Sequence, residues 1–271
     1  MLKPLIKVVL YSLPAALGRR LAYGLRRARV IGPQHEVYLS LGRPDQVLSG
    51  PFAGMKYSAA AVCSAWLPKL IGTYECELHP VFARVANGRF DQIVDVGSAE
   101  GYYAVGLTLA LKPKRTWAFD IDPTAERLVR HLAQANRVDD VVEVQGFCDL
   151  PRLQNLLHEA ERPLVVCDCE GYEAQLLDPA QVPALHKASI IVETHDERRN
   201  GPIATSLRSR FEKTHRIEVI EPAPRSMADV PAEVAKIVGH SEHVVEAIAE
   251  HRKLVTDWFF MSPFNNVASA H

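Results

Sequence analysis

The stretch that decides the fold is residues 95–101, which read Asp95-Val96-Gly97-Ser98-Ala99-Glu100-Gly101. It follows an apolar run and precedes a helix-type segment that begins Tyr102-Tyr103. Its two glycines allow a tight turn and a close approach of the backbone to a ligand, and the helix start offers free N–H groups. The turn lacks the G-x-G-x-x-G spacing of dinucleotide-binding proteins. The sequence therefore predicts a strand, a ligand-binding turn and a helix, and the missing fingerprint argues against NAD as the ligand.

Short apolar runs alternate with helix-type segments along the chain from this turn onward. This alternation predicts a parallel α/β sheet with helices on both faces, and continuous apolar runs indicate strands that are buried on both faces. The predicted strands are 92–96, 116–119, 141–145, 164–167, 189–192, 216–220 and 258–261. The predicted helices are one ending at Asn87-Gly88, then 102–111, 124–136, 151–161, 173–186, 202–214 and one near 241–252.

Acidic side chains follow several of these strands. In an open parallel sheet, ligands bind beyond the carboxyl ends of the strands. Asp120 ends the second predicted strand, where an acid can accept hydrogen bonds from both hydroxyls of a ribose. Asp122 precedes Pro123 and is predicted to be a helix N-cap. The glycine turn and Asp120 together favour a nucleoside-type ligand.

Four motifs occur in a characteristic order. They are D-x-G-x-x-x-G-Y-Y from Asp95, A-F-D ending at Asp120, Asp168-Cys169-Glu170-Gly171-Tyr172-Glu173, and Ile191-Val192-Glu193-Thr194-His195. Over residues 73–262 this order resembles the FkbM-type branch of the class I S-adenosylmethionine-dependent methyltransferases. The resemblance implies a Rossmann-like sheet of seven strands in which the last strand is antiparallel. The chain departs from relatives at Ser98-Ala99, where Ala-Asn is frequent, and at Asp120, where Glu is frequent.

The resemblance also implies roles for residues that bind the cofactor, S-adenosyl-L-methionine. The residues placed around its methionine part are Asp95, Gly97, Ser98 and Gly101. Asp120 would hold the ribose, and Ile121 would lie against the adenine. Asp149, after the third predicted strand, has two interpretations: a hydrogen bond to the adenine amine or the N-cap of the next helix.

Candidate catalytic residues follow the fourth and fifth predicted strands. They are Asp168, Glu170, Glu193 and His195. Methyl transfer to a hydroxyl requires that the acceptor be positioned and that its proton be removed. Asp168 and His195 are the preferred candidates for the general base or for orienting the acceptor.

These polar residues also have structural interpretations. His195 or Asp196 could cap a turn, and Glu193 could pair with Arg198 or Arg199. An oxygen-rich cluster of this kind could also bind a hard divalent cation such as Mg²⁺, although the sequence does not identify the ligands.

Composition excludes several functional classes. The chain has 271 residues with 31 basic and 32 acidic side chains, so it is not a strongly basic nucleic-acid binder. It also lacks an N-P-P-Y-like tetrad and a basic patch with interleaved aromatic residues in its core, which argues against nucleic acid as the acceptor. Five cysteines without a C-x-x-C pair predict reduced thiols in a cytosol.

The N-terminal segment differs from the rest of the chain in charge. Residues 1–34 contain seven basic residues and no acid, and their apolar stretch 8–17 is shorter than the ~20 residues of a membrane span. This arm is predicted to be helical, either packed against the protein or lying on a membrane surface. Residues 32–55 are predicted to be a connecting segment with little regular structure. The predicted domains are 1–72, the arm and connecting segment, and 73–271, the methyltransferase domain.

The sequence thus predicts a cytoplasmic S-adenosylmethionine-dependent O-methyltransferase. Its predicted acceptor is a small-molecule or glycan-type hydroxyl. If the arm binds lipid, the protein is peripheral to the inner membrane face. The alternative is a catalytically silent methyltransferase-like module that only binds.

Overall fold

A computed structural model of the chain describes residues 32–57, 65–250 and 256–264, together with the single positions 13, 17 and 21. Most of the predicted basic arm therefore lies outside the described residues. Those residues divide into two compact units, one of 32–57, 65–76 and 224–250, the other of 77–223 and 256–264. In this part of the chain, no helix is long and apolar enough to cross a membrane.

The larger unit holds seven strands and most of the helices. The strands are β1 (Gln92–Val96), β2 (Arg115–Phe119), β3 (Val142–Gln145), β4 (Pro163–Cys167), β5 (Ser189–Glu193), β6 (His215–Ile220) and β7 (Trp258–Pro263). The α-helices of the described residues are α1 (Pro33–Ser40), α2 (Trp66–Ile71), α3 (His79–Ala86), α4 (Tyr102–Leu111), α5 (Pro123–Ala135), α6 (Leu150–Glu159), α7 (Glu173–Leu176), α8 (Pro202–Phe211), α9 (Ala232–Val238) and α10 (Glu242–Ile248). The described residues also include three short 3₁₀ helices, at Cys76–Leu78, Pro183–Lys187 and Met227–Asp229.

The seven strands form one sheet in the order β3-β2-β1-β4-β5-β7-β6. β7 runs antiparallel to β5 and β6, and the other neighbouring strands are parallel. This arrangement confirms the predicted Rossmann-like α/β sheet of seven strands with an antiparallel last strand. The strand order reverses between β1 and β4, so a ligand crevice is expected at their carboxyl ends.

The three central strands of the sheet, β1, β4 and β5, consist mainly of apolar residues that are buried. All five residues of β1, of β4 and of β5 are buried, as expected for strands covered on both faces. The helix α5 packs against β3 with one apolar side. In α5 the buried residues Ala125, Val129, Leu132 and Ala133 are spaced at three or four positions, and Asp122 caps the helix start as predicted.

The prediction of little regular structure over 32–55 is wrong at its start. Residues Pro33–Ser40 form α1, with Gly32 as the N-cap and Val37 and Leu39 buried. Glycine followed by proline looks like a turn in the sequence. Proline is nevertheless favourable in the first turn of a helix, because its missing N–H would have no partner inside the helix there.

The predicted helix over 173–186 is also wrong, because it is interrupted. The helix α7 ends at Leu176, and a separate 3₁₀ helix covers Pro183–Lys187. Two prolines, Pro179 and Pro183, lie in this segment. A proline ring disfavours the helical conformation of the preceding residue, so two of them prevent one continuous helix.

The smaller unit joins segments that are far apart in the sequence. Its helix α10 packs against α1 and α2. Arg225 and Glu250 form a bidentate ion pair, at 2.9 Å for Nε to Oε1 and 3.1 Å for Nη2 to Oε2, and each side chain is only 5% exposed. Glu250 Oε1 also accepts a hydrogen bond from the backbone N–H of Glu75 at 3.0 Å. Residues 224–250 thus belong with the N-terminal unit, whereas the predicted boundary at residue 72 treated each domain as one continuous segment.

Candidate functional site

The register of the sheet lines up the ends of four strands. The last residue of β1 pairs with the last residues of β2 and β4, and β4 continues this alignment to β5. The side chains that end or follow these strands are Asp120 after β2, Gly97 after β1, Asp168 after β4 and Glu193 at the end of β5. Residues that are widely separated in sequence therefore meet at one edge of the sheet.

The turn after β1 depends on its glycines. Gly97 and Gly101 have φ angles of +84° and +92°, and a Cβ atom on Gly97 would lie 1.6 Å from the Asp168 carbonyl oxygen. The turn is held to β2, because the N–H groups of Gly97 and Ser98 both donate to the Phe119 carbonyl at 2.9 Å. The predicted methionine-binding turn is thus a tight connection packed directly against the end of β4.

Two polar side chains of this region are buried. Asp95 lies within β1 and is only 1% exposed. The Ser98 hydroxyl is buried and has no hydrogen-bond partner among the described residues. A buried hydroxyl without a partner is costly, so Ser98 offers a hydrogen bond to a ligand that enters the turn.

Asp120 holds the glycine turn in place through backbone hydrogen bonds. Its Oδ2 accepts from the N–H of Ala99 at 2.8 Å, and its Oδ1 accepts from the N–H of Asp122 at 2.9 Å. A carboxylate oxygen can accept two hydrogen bonds, so both oxygens can also accept from a ribose. Ile121, beside it, is 79% exposed at the same edge. An isolated apolar side chain this exposed is available to cover a flat apolar ligand.

Asp149 is the N-cap of α6. Its Oδ1 accepts a hydrogen bond from the N–H of Arg152 at 2.9 Å. The capping interpretation is thus observed, and a bond to adenine stays a prediction. Phe147, two residues before Asp149, is 54% exposed, and its ring centroid lies 5.4 Å from that of Tyr172.

The four predicted catalytic residues come together, with the three acids placed around the imidazole of His195. His195 Nε2 lies 3.4 Å from Asp168 Oδ1, 3.6 Å from Glu193 Oε2 and 3.7 Å from Glu170 Oε2. The other ring nitrogen, Nδ1, lies 2.7 Å from Glu173 Oε1. The histidine is therefore surrounded by four carboxylates, two of them largely buried: Glu173 with no exposed side chain and Glu193 with 8%.

Glu173 is the residue that the sequence analysis missed. It begins α7 and is fully buried, and its Oε1 also accepts a hydrogen bond from the N–H of Cys169 at 2.9 Å. The signal was present, because Glu173 is the last residue of the quoted D-x-E-G-x-E motif. At the start of a predicted helix, however, an acid is ordinarily an exposed residue that interacts with the helix dipole.

The electrostatics of the cluster favour a charged histidine. Burial lowers the pKa of His195, but the hydrogen bond with Glu173 and the charges of Glu193 and Asp168 outweigh burial and raise this pKa to about 9. Burial raises the pKa of Glu173, but the His195 partner more than offsets it and holds this pKa below its ordinary value. At neutral pH the pair is an imidazolium and a carboxylate. His195 is therefore better suited to donate a hydrogen bond to an acceptor than to remove its proton.

The structural interpretation holds for Asp196. Its two carboxylate oxygens accept hydrogen bonds from the N–H groups of Ile203 and Ala204, both at 2.9 Å, at the start of α8. Asp196 is thus a helix-capping residue. Arg199, one of the two predicted partners of Glu193, forms an ion pair with Glu221.

A divalent cation has a candidate ligand set here. One ligand atom each from Asp168, Glu193 and His195 lies within 4.8 Å of the others. The set fits Mg²⁺ poorly, because Mg²⁺ prefers oxygen ligands and a protonated imidazole has no lone pair to offer. The imidazolium already balances part of the acidic charge.

We compared the chain with known protein families, curated sequences and solved structures, and similar proteins were found only among the solved structures. No protein-family model matches the chain, and no curated protein sequence is similar to it. Among solved structures, the Bacillus cereus O-methyltransferase in complex with SAH is similar with a TM-score of 0.43 and 14% identity, covering 85% of this chain and 90% of that one.

Two further structures have similar scores. The Geobacter metallireducens precorrin-6y C5,15-methyltransferase has a TM-score of 0.45 and 10% identity, over 68% of this chain and 86% of that chain. The B. subtilis M1A22 tRNA methyltransferase has a TM-score of 0.41 and 12% identity, over 66% of this chain and 63% of that chain.

Proposed function

We propose that this chain is an S-adenosylmethionine-dependent methyltransferase that methylates a hydroxyl of a small-molecule or glycan-type acceptor. One observation carries the proposal. The glycine turn and Asp120, which suit a nucleoside cofactor, lie in register with a cluster of acids around His195 on the next two strands. A binding turn and groups that can handle a proton thus share one edge of the sheet.

The residues at this edge fit the cofactor in three ways. The Ser98 hydroxyl is a buried donor without a partner among the described residues. Asp120 is fixed by backbone bonds and keeps acceptor capacity for ribose hydroxyls. Ile121 presents an exposed apolar side chain for the adenine. When bound, the cofactor supplies a methyl group on a sulfonium, which needs no covalent help from the protein.

Asp168 is assigned as the residue that takes the acceptor's proton. Its side chain is 26% exposed, so an acceptor can reach it, and it lies 3.4 Å from His195 Nε2. His195, as an imidazolium, can donate a hydrogen bond toward the acceptor. Glu173 keeps the imidazole charged and oriented through Nδ1. Glu193 and Glu170 add negative charge on the Nε2 side, which favours an uncharged or cationic acceptor over an anionic one.

Three finer assignments accompany this proposal. The FkbM-type branch is supported by the D-x-E-G-x-E and E-x-H motifs, whose acids converge on His195. A cytoplasmic location is supported by the free thiols of Cys76, Cys148, Cys167 and Cys169. Contact of the basic arm with a membrane is supported by its seven cations without an acid. The proposal includes no divalent cation.

Calorimetry with S-adenosylhomocysteine tests the cofactor site. We expect binding in the micromolar range, about −8 kcal/mol. Replacing Asp120 by Asn keeps one acceptor oxygen but removes the charge, and should weaken binding by about 1 to 3 kcal/mol. Asp122→Asn is the matched control, because Asp122 is two residues away and caps α5. Equal affinity of the Asp120 variant and the parent, or a preference for NAD, would contradict the assignment.

Turnover on a panel of hydroxyl acceptors then separates an enzyme from a silent binding module. The methyl group of the cofactor is isotopically labelled, and transfer to each acceptor is measured. With a true acceptor, Asp168→Asn should lower turnover by ~10²-fold while cofactor affinity stays unchanged. Cofactor binding without transfer to any acceptor would favour the silent module.

A further inference from the structure

Two cysteines flank the proposed proton acceptor, Asp168. Cys167 is the last residue of β4 and is fully buried, whereas Cys169 is partly exposed. Their sulfur atoms are 3.5 Å apart, and both thiols are free. Two thiols this close, one of them open to solvent, are placed to react with each other.

The local backbone permits a disulfide between them. Two residues of extended chain span at most about 7 Å, and the Cα atoms of disulfides are usually about 4.4–6.8 Å apart. The sulfurs must approach from 3.5 Å to the ~2.05 Å of a covalent bond. Side-chain rotation with a small shift of Cys169, which lies outside the strand, brings them together.

A third thiol in this region is less suited to react. Cys148 is 2% exposed, and burial together with the charge of Asp149 raises its pKa to about 12. A thiol must lose its proton to attack a disulfide, so this raised pKa slows any attack by Cys148. The pKa of Cys167 is raised as well, by its hydrogen bond with Cys169 and by burial. Contact decides between the two thiols, because the Cys167 sulfur lies 3.5 Å from the Cys169 sulfur, and the proposed pair is therefore Cys167 and Cys169.

We propose that Cys167 and Cys169 form a reversible disulfide, with oxidised glutathione or a similar small disulfide as the oxidant. The Cys169 thiolate attacks one sulfur of oxidised glutathione, forming a mixed disulfide and releasing one glutathione. Cys167 then gives up its proton and attacks the Cys169 sulfur, releasing the second glutathione. Two electrons pass from the cysteines to the oxidant, and the two thiol protons end on the two released glutathione molecules.

The disulfide would act on the catalytic cluster through short connections. The N–H of Cys169 donates to Glu173 Oε1, the same oxygen that contacts His195 Nδ1. Asp168 lies between the two cysteines, and its carbonyl is packed against Gly97. Movement of Cys169 therefore disturbs both the Glu173–His195 pair and the position of Asp168. A loss of methyl transfer on oxidation rests on the proposed function, whereas formation of the disulfide does not.

Peptide mapping of the full chain tests the disulfide. The protein is equilibrated with mixtures of reduced and oxidised glutathione, quenched by alkylation and digested with trypsin. Cleavage after Arg152 and Lys187 gives a peptide of residues 153–187, since trypsin does not cut the Arg162–Pro163 bond inside it. Cys167 and Cys169 are the only cysteines of this peptide. We expect this peptide to lose two hydrogens and to escape alkylation in oxidising mixtures, and dithiothreitol should reverse both changes.

Matched cysteine variants identify the bond. Cys148→Ser should oxidise like the parent, whereas Cys167→Ser should stop at a glutathione adduct on Cys169. A peptide that stays doubly alkylated in every mixture would overturn the proposal. So would a cross-link between the 153–187 peptide and the 138–152 peptide, which carries Cys148.

Nuclear magnetic resonance of the histidines tests the connection to the cluster. Oxidation should shift the ring signals of His195, while those of His215, a buried residue bonded to the Ala188 carbonyl, should stay in place. A disulfide that leaves the His195 signals unmoved would overturn the link to the site. Failure of the reduced protein to bind the cofactor would instead count against the proposed function and leave the disulfide result intact.

Discussion

Gly97 illustrates how narrowly single residues are constrained at this site. Its φ angle of +84° is unfavourable for other residues, and a Cβ there would lie 1.6 Å from a backbone oxygen. Gly171 has a φ angle of +107°, but a Cβ there meets no atom within 4 Å in the described part of the chain. Substitutions at the two glycines therefore distinguish two effects: at Gly171 only the backbone conformation is strained, whereas at Gly97 the added Cβ also clashes.

We expect Gly97→Ala to lower the free energy of unfolding by more than ~4 kcal/mol, or to prevent folding, because the backbone of β4 must move. Gly171→Ala should cost only about 1 to 2 kcal/mol, the price of the left-handed conformation. Urea unfolding of both variants measures the difference. Equal losses in the two variants would show that the end of β4 can yield to the extra methyl group.

The Glu173–His195 pair predicts how stability depends on pH. The pKa of His195 rises from 6.5 to about 9 on folding, so its contribution is complete below pH 6.5 and is lost as pH rises through about 9. The pKa of Glu173 falls below 4.5 on folding, so its contribution is present above pH 4.5 and is lost as pH falls through the lowered value.

Urea unfolding over a range from about pH 4 to pH 10 checks this expectation. The parent protein should lose stability progressively between pH 6.5 and about 9, in addition to changes from other groups. Glu173→Gln removes the main partner of the imidazole and should flatten this part of the profile. A Glu173→Gln profile parallel to that of the parent would mean that the pair does not control the histidine.

At the scale of secondary-structure elements, Asp149 and Asp122 perform the same local task. Asp149 caps α6, and Asp122 caps α5. Replacing either by Ala should lower the free energy of unfolding by about 1 kcal/mol, because one N–H of the first turn loses its partner.

Only Asp149 also has a predicted role at the adenine. If it has that role, Asp149→Ala weakens S-adenosylhomocysteine binding in calorimetry, whereas Asp122→Ala leaves it unchanged. If the two variants bind S-adenosylhomocysteine equally well and lose the same stability, Asp149 acts only as a helix cap.

At the scale of the whole molecule, the charge of the chain is unevenly distributed. The seven basic residues of positions 1–34 predict salt-sensitive binding to anionic vesicles, since each cation near such a surface contributes ~1 kcal/mol. Sedimentation of the full chain at low and high salt measures this binding. Replacing Arg19, Arg20, Arg26 and Arg27 by Gln should reduce it strongly, and vesicles without net charge serve as the control. A full chain that stays in the supernatant at low salt would contradict membrane binding.

Local patterns in the sequence were sufficient to predict the sheet and one side of the site. Strand β1 occupies 92–96 as predicted, and β5 begins at the predicted residue, Ser189. The glycine turn and the Asp122 cap were also predictable. These features depend on residues within one turn or one strand of each other, so the order of apolar, glycine and acidic residues is enough to specify them.

The tertiary structure alone decided how the polar residues pair. His195 meets Glu173, which is 22 positions away, and Asp196 turns from the cluster to cap α8. Residues 224–250 return to the N-terminal unit, where Arg225 and Glu250 are buried together. A carboxylate at a strand end can reach several possible hydrogen-bond partners. Which one it binds depends on the register of neighbouring strands and on the burial that makes an unpaired charge costly, and both arise only when distant segments pack.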